Sequence, residues 1–331
     1  MTLVITLLAA FLAVVLVFAY LPLSRQRQWI DEPNARSAHA SPTPNSGGIP
    51  VVIAVLVMLL GLQWHLGGQL GGETVPHIRS LVLGLSGLCV VGAWDDRHHL
   101  SAGFRLACFF AVAAAVVAVW FSPSSLPTLA AAAVLVIALV WVINLYNFMD
   151  GLDGLAAVQV IAVAAGLWLQ GLIAGGSDAF LGMAGIVAGA YAGFLVFNWP
   201  PARLFMGDAG SLSAGLLLSW LGIWGWSEGA VAPASWCLLM SPFLIDSTWT
   251  LLDRFRRGER IAEAHSDHFY QRLARRWGSH RRVDYLLIAL HVLWLQPFAA
   301  ACALLPGYTQ TFLLAGLFPQ LLLMVRARRM Q

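Results

Sequence analysis

Residues 144–157 read NLYNFMDGLDGLAA. Asp150 and Asp153 stand three apart, with Asn144 and Asn147 just before them, directly after the apolar run TLAAAAVLVIALVWVI. That run is long enough to be the core of a membrane helix, so the acids and amides fall where such a helix ends. The rest of the chain has the same character. Of its 331 residues 59% are hydrophobic and 11% charged, where soluble domains carry roughly a quarter charged residues. The composition predicts an all-α polytopic integral membrane protein built as one domain over residues 1–331.

Apolar stretches near twenty residues recur at about 2–22, 47–66, 77–94, 103–121, 127–145, 154–172, 179–197, 209–226, 234–251, 283–304 and 307–325. Those eleven spans put the termini on opposite sides. The pairs around Pro123 and Pro306 are the least distinct, because each reads equally as a broken hairpin. With the N-terminus outside, the inner segments are about 23–46, 95–102, 146–153, 198–208, 252–282 and 326–331. They and their flanks hold 18 of the 19 arginines, Arg79 being the exception, and the chain has no lysine. This is the bias of the positive-inside rule. It explains the net charge of +3 and leaves no reason to read a nucleic-acid partner. Arg25 and Arg27 behind the first span favour an N-out anchor over a cleaved leader. The outer loops are too short for a folded domain, so the chemistry is expected on the inner face. Tryptophan, 14 in all, suits interfacial anchoring in membrane lipid. Cys89, Cys108, Cys237 and Cys302 lie in apolar runs without metal or redox spacing and read as small core residues.

Most remaining acids gather at inner helix ends. Asp95 and Asp96 close the third span in VVGAWDDR, Asp150 and Asp153 follow the fifth, Asp208 precedes the eighth in NWPPARLFMGDAGS, and Asp246 and Asp253 close the ninth. Charge at the bilayer centre costs about 2.5–3.5 kcal/mol, so acids at helix ends need no function. For Asp253 and Glu259, surrounded by Arg254, Arg256, Arg257 and Arg260, charge balance is explanation enough. Asp95, Asp96, Asp150, Asp153 and Asp208 lack such company and converge from three connections. Like charges at low dielectric need a cation, and a carboxylate donor set suits Mg²⁺, or Mn²⁺, over zinc.

Spacing adds detail. On a helix, Asp150 and Asp153 would share a face with Asn147 and, one turn earlier, Asn144. In GDAGS, Gly207 and Gly210 allow a tight turn into the next span, whose first N–H groups would be open to an anion. A metal-binding carboxylate beside such a helix start suits a phosphate ester. No Walker A loop, GxGxxG or HExxH is present. Two further inner loops bring polar groups: DEPNARSAHASPTPNSGGIP (31–50), with Arg36, His39 and Asn45, and RIAEAHSDHFYQRLARR, with His265 and His268. These are read as substrate or phosphate contacts. His98 and His99 are left out of the site, and His291, inside the tenth span, is expected to contact a neighbouring helix.

A site on helix ends can hold a water-soluble anionic donor and a lipid-borne acceptor together. A nucleotide diphosphate sugar would use amides and aromatics for the base, arginine and cation for the phosphates. Ion-coupled transporters also place acids beside broken helices, and a transporter is the alternative reading; the acids here, however, lie at one face and no inverted repeat is visible.

With the motifs in order, Pro33-Asn34, His39, Gly47-Gly48, Asp95-Asp96-Arg97, NLYNFMDGLDGLA, LFMGDAGSL (204–212) and HSDHFYQRL (265–273), the sequence resembles the polyprenyl-phosphate N-acetylhexosamine-1-phosphate transferases of glycosyltransferase family 4. The similarity covers nearly the whole chain. It implies Mg²⁺-dependent transfer of a sugar-1-phosphate from a UDP-sugar to undecaprenyl phosphate, with UMP released, at the cytoplasmic side of a bacterial inner membrane. By resemblance Asp208 is the metal-binding aspartate, and Asp95 and Asp96 are the pair near lipid phosphate and metal. Asn144, Asn147, Asp150 and Asp153 shape the nucleotide site, and His265 and His268 help to hold the donor. Assembly as a homodimer is likewise implied. The phospho-MurNAc-pentapeptide transferases of peptidoglycan synthesis carry a histidine triplet followed by Phe-Glu where this chain has His265-Ser266-Asp267-His268-Phe269. That departure favours the branch that initiates O-antigen and other surface polysaccharides, with donors of the GlcNAc, FucNAc or QuiNAc type.

Overall fold

The computed structural model describes residues 1–32, 42–65, 74–120, 126–259 and 265–328. Arg36 and His39 lie outside the described residues. The chain forms helices α1 Thr2–Gln26, α2 Gly48–His65, α3 Thr74–His98, α4 Ala102–Trp120, α5 Leu126–Met149, α6 Leu155–Ala174, α7 Asp178–Asn198, α8 Gly207–Ser227 and α9 Pro233–Arg256. There follow α10 Phe269–Trp277, α11 His280–Leu290, α12 Gln296–Leu304 and α13 Thr309–Arg328. Its one described sheet pairs β1 Ile30–Asp31 with β2 Thr43–Pro44, antiparallel.

By length and apolarity eight of the described helices could cross a membrane: α1 to α7, and α11 with α12 as one span from His280 to Leu304. Helices α8 and α9 are of similar length but fall below that apolarity. For α8 the reason is its position. It is enclosed by α2, α3, α5, α6, α7 and α9, and a helix sheathed by other helices does not need the hydropathy of a lipid-facing one.

Local chemistry fixes the boundaries. Ser177 caps α7 by accepting from Phe180 N, and Pro233 opens α9. Gly278, at φ +59, ends α10, after which Ser279 caps α11. Between α11 and α12 the residues His291–Leu295 form a π-turn. Pro297 follows and cannot donate a backbone hydrogen bond. As expected for a helix-to-helix contact, the His291 ring lies 2.8 Å from Gln159 Oε1 of α6.

The site depends on how closely α8 approaches its neighbours. A Cβ on Gly92 of α3 would run into the backbone of Asp208 and Ala209, and one on Gly48 of α2 into the backbone of Gly210. Only glycine admits the first turn of α8 there. Gly92→Ala is expected to destabilise the fold by about 1–3 kcal/mol through overpacking and to depress turnover by moving Asp208. Thermal unfolding and activity in detergent measure both, and no change in either would contradict this packing.

Candidate active site

Four connections meet at one end of the helix bundle. From the last turn of α3, Asp96 Oδ1 accepts the backbone N–H of Asp208 (3.0 Å) and Oδ2 accepts the Ser46 hydroxyl (2.6 Å). Its neighbour Asp95 accepts from Leu100 N at Oδ1 (2.6 Å) and from Arg105, in the first turn of α4, at Oδ2 (2.6 Å). The Arg105 guanidinium reaches on toward Asp208 Oδ2 at 3.7 Å. From α5, Asn147 Nδ2 donates to Asp208 Oδ1 (2.6 Å). Asp208 is therefore held by its own backbone, an amide and a guanidinium, each from a different helix.

The turn between α5 and α6 supplies the other acids. It is not helical: residues 150–154 fall between Met149 and Leu155, so Asp150 and Asp153 do not share a helix face as the i,i+3 spacing suggests. Gly154 explains this. At φ +78 it takes a conformation that breaks the helix, and its N–H is captured by Asn198 Oδ1 at 2.9 Å. Asn198 also donates to Leu204 O (3.0 Å), tying this turn to the segment that leads into Asp208. Asp153 Oδ2 accepts from Ala202 N (3.0 Å) and lies 3.4 Å from His280 Nδ1.

Two cavities share the wall built by Asp96 and Asp208. The first, of about 250 Å³, is lined by Asp31, Asn45, Asp96, Asn147, Asp150, Asp153, Asn198, Phe205, Asp208, Gln271 and His280 among others. Among the described residues its lining has five carboxylates and no arginine. Arginine, again among the described residues, lines only the second of the two, of about 1020 Å³. There Trp29, Arg97, His98, His99 and Arg105 join Asp31, Glu32, Asp95, Asp96 and Asp208. Arg97 stacks over the Trp29 ring at 4.0 Å and hydrogen-bonds Ala93 O, which fixes its position.

The anion-binding helix start read from GDAGS is corrected in one respect. The N–H of Asp208, second residue of α8, is already taken by Asp96. The protein's own carboxylate occupies that place. Asn144, one turn before Asn147, is half-buried and lines neither cavity. His265 and His268 line neither cavity as well. Their rings lie tilted against each other, centroids 4.9 Å apart, with His268 buried between Phe148 and Tyr270. Burial, then His268 and Arg254, push the His265 ring down to about 4, so it is neutral at physiological pH. Asp267, between them, is engaged by Arg254. Arg105, His280 and Asn198 were absent from the candidates read in the sequence.

Burial first, then the Asp96 and Asp153 carboxylates, push the Asp150 carboxyl well above the usual range. Its folded value exceeds the unfolded one. The stability tied to its neutral form is therefore complete in acid and is lost as pH rises through the folded value. Asp150→Asn, permanently neutral, is expected to match the parent melting temperature below about pH 4 and exceed it increasingly toward neutrality, in chelator. A less stable variant at neutral pH would contradict the repulsion.

Among the described residues no three His, Cys, Asp or Glu side chains converge to hold an ion by themselves. Mg²⁺ is usually held by one or two carboxylates, with water and substrate phosphate completing its shell. Asp208, with Asp95 across Arg105, is the hard-oxygen pair that could serve.

Residues 78–226 match the model of glycosyl transferase family 4. The chain is 31% identical to the decaprenyl-phosphate N-acetylglucosaminephosphotransferase of Mycolicibacterium smegmatis, over 86% of this chain and 77% of that enzyme. It is 27% identical to the probable undecaprenyl-phosphate N-acetylglucosaminyl 1-phosphate transferase of Bacillus subtilis, over 79% and 74%. A phospho-N-acetylmuramoyl-pentapeptide-transferase of Synechococcus is 46% identical, but over 23% of this chain and 22% of its own. The matched region runs from α3 through α8 and so contains Asp95, Asp96, the Asp150–Asp153 turn and Asp208. The chain belongs to glycosyl transferase family 4 and is a multi-pass membrane enzyme, a glycosyl-1-phosphate transferase.

Proposed function

We propose that the enzyme transfers an N-acetylhexosamine-1-phosphate from a UDP-sugar to undecaprenyl phosphate, releasing UMP, with Mg²⁺ as the preferred cation and Mn²⁺ as a substitute. The observation that carries this reading is the shared Asp96–Asp208 wall, with carboxylates on both sides and with Arg97 and Arg105 on one side of it. The smaller chamber fits the donor. Phe205 and Leu152 offer apolar surface to a base, while Asn198, Gln271 and Asp153 offer hydrogen-bonding groups. The chamber that also holds Arg97 and Arg105 fits the acceptor phosphate, which those guanidiniums can pair. An acceptor oxygen attacks the sugar-proximal phosphorus as the bond to the bridging oxygen breaks, and that oxygen leaves on UMP. At neutral pH the acceptor phosphate is already ionised, so Asp95 positions rather than deprotonates it, through Arg105. A bound divalent cation supplies charge neutralisation for the diphosphate. Asn147 keeps Asp208 aimed, and Asp96 keeps the start of α8 in register.

The relatives alike over most of the chain are named for N-acetylglucosamine transfer, whereas the muramoyl-pentapeptide enzyme matches a short stretch. With the loop HSDHFYQRL, this supports an amino-sugar donor without a peptide, as in the first step of O-antigen or surface polysaccharide synthesis. The arginine bias supports a site facing the cytoplasm in the bacterial inner membrane. Neither a peptidoglycan role nor ion-coupled transport gains support from the family match.

The test is purified protein with undecaprenyl phosphate, Mg²⁺ and a panel of UDP-GlcNAc, UDP-FucNAc and UDP-QuiNAc, following UMP. At least one donor should yield UMP and a lipid diphosphate sugar. Folded protein that cleaves none of them would overturn the reading.

A further inference from the structure

His265 and His268 stand apart from the acidic cavity, yet the helix that follows them does not. Gln271 of α10 lines that cavity. Tyr270 covers Gly151, and its hydroxyl donates to Phe148 O (3.1 Å) at the end of α5. One face of α10 therefore braces the turn that carries Asp150 and Asp153. What holds α10 there is a residue the transfer chemistry does not use. Asp246 of α9 is 3% exposed. Its Oδ1 accepts Phe269 N (2.9 Å) and its Oδ2 accepts Tyr270 N (3.0 Å). Thr250 Oγ1 adds a third bond, to Oδ1 at 3.1 Å, and His268 Nδ1 lies 3.5 Å away. The residue at the cap position of α10, His268, makes no capping bond with its own side chain. The cap is instead supplied from α9, across the chain, and both carboxylate oxygens are committed to it.

We infer that Asp246 is a positioning residue for the donor half of the site: it clamps the N-terminus of α10, so that Tyr270 and Gln271 hold the Asp150–Gly154 turn in place. An ordinary cap supports its own helix. This one couples α9, the histidine loop and the acidic turn, and it leaves the Arg105 side untouched. Loss of the clamp should therefore weaken donor binding without weakening acceptor binding. Asparagine is the informative replacement, because it keeps the size and one acceptor oxygen while leaving one of the two N–H groups without a partner.

The inference rests on the proposed donor and acceptor, so its test has one arm that needs no turnover. Asp246→Asn and Tyr270→Phe are prepared in detergent, and hydrogen exchange is followed along the whole chain. The asparagine variant should exchange faster in 148–154 and 265–277, with α7 unchanged. Tyr270→Phe, which loses the hydroxyl's bonds to the Phe148 and Gly151 backbone, should speed 148–154 alone. In UMP-release assays with UDP-GlcNAc and undecaprenyl phosphate, Asp246→Asn should raise the donor KM at least about tenfold and leave the acceptor KM within about twofold. Unchanged exchange in 148–154, or KM values that rise together for both substrates, would overturn the clamp. If the unaltered enzyme releases no UMP, the proposed function fails, and the clamp still stands or falls on the exchange data.

Discussion

Asp208→Asn is expected to lower turnover by about 10³-fold while the protein stays folded. The replacement keeps an oxygen for the Asn147 amide, now 2.6 Å from Asp208 Oδ1, and keeps the backbone N–H that Asp96 accepts. What disappears is negative charge at the wall between the two cavities. The loss should therefore fall on turnover and on cation dependence, not on melting temperature. UMP release across a Mg²⁺ titration measures both. A variant with undiminished rate and the parent Mg²⁺ response would remove Asp208 from the site.

Withdrawal of divalent cation should have a comparable effect for a different reason. Among the described residues, five carboxylates and no arginine line the cavity proposed for the donor. Two like unit charges 4 Å apart repel by about 4 kcal/mol at an effective dielectric of 20, so a diphosphate cannot settle there unaided. In EDTA the enzyme is expected to lose activity by at least about 10³-fold and to bind UDP-sugar poorly. Mg²⁺ or Mn²⁺ should restore both, and monovalent salt neither. Equilibrium binding of labelled UDP-GlcNAc measures the second effect, and full-strength binding in EDTA would contradict the electrostatic account.

Much of this architecture is legible in the sequence because lipid imposes a length on every span. The expected segment 209–226 became Gly207–Ser227, and 179–197 became Asp178–Asn198. The ends are less legible. Helices α3, α5 and α9 continue to His98, Met149 and Arg256, past the expected span ends at 94, 145 and 251. Their polar termini remain helical by bonding to neighbours, as Asp96 does to Ser46. The tenth span hides a π-turn whose one sequence signal is Pro297.

The acids were legible as a group, since uncompensated charge at three inner helix ends needs a reason. Their geometry was not. Gly154 sets the Asp150–Asp153 turn through a positive φ that residue spacing cannot announce. Arg105 was counted only as one more inner arginine, though its place ten residues after Asp95, at the start of α4, puts it between Asp95 and Asp208. His280 and Asn198 act through contacts distant in sequence, to Asp153 and Gly154. Asp246 read as a helix-end acid because its partners, Phe269 N and Tyr270 N, lie beyond the following loop.

The central claim is that acids from separate connections form one cation–diphosphate site at Asp208. Anomalous diffraction from crystals grown with Mn²⁺ and UDP-GlcNAc tests it most directly. The account predicts a single strong Mn²⁺ peak about 2.1–2.3 Å from a carboxylate oxygen of Asp208, with the donor's diphosphate on the same ion and its base in the chamber of Asp153 and Asn198. Mn²⁺ bound away from Asp208, or a diphosphate seated with no ion beside that residue, would contradict it.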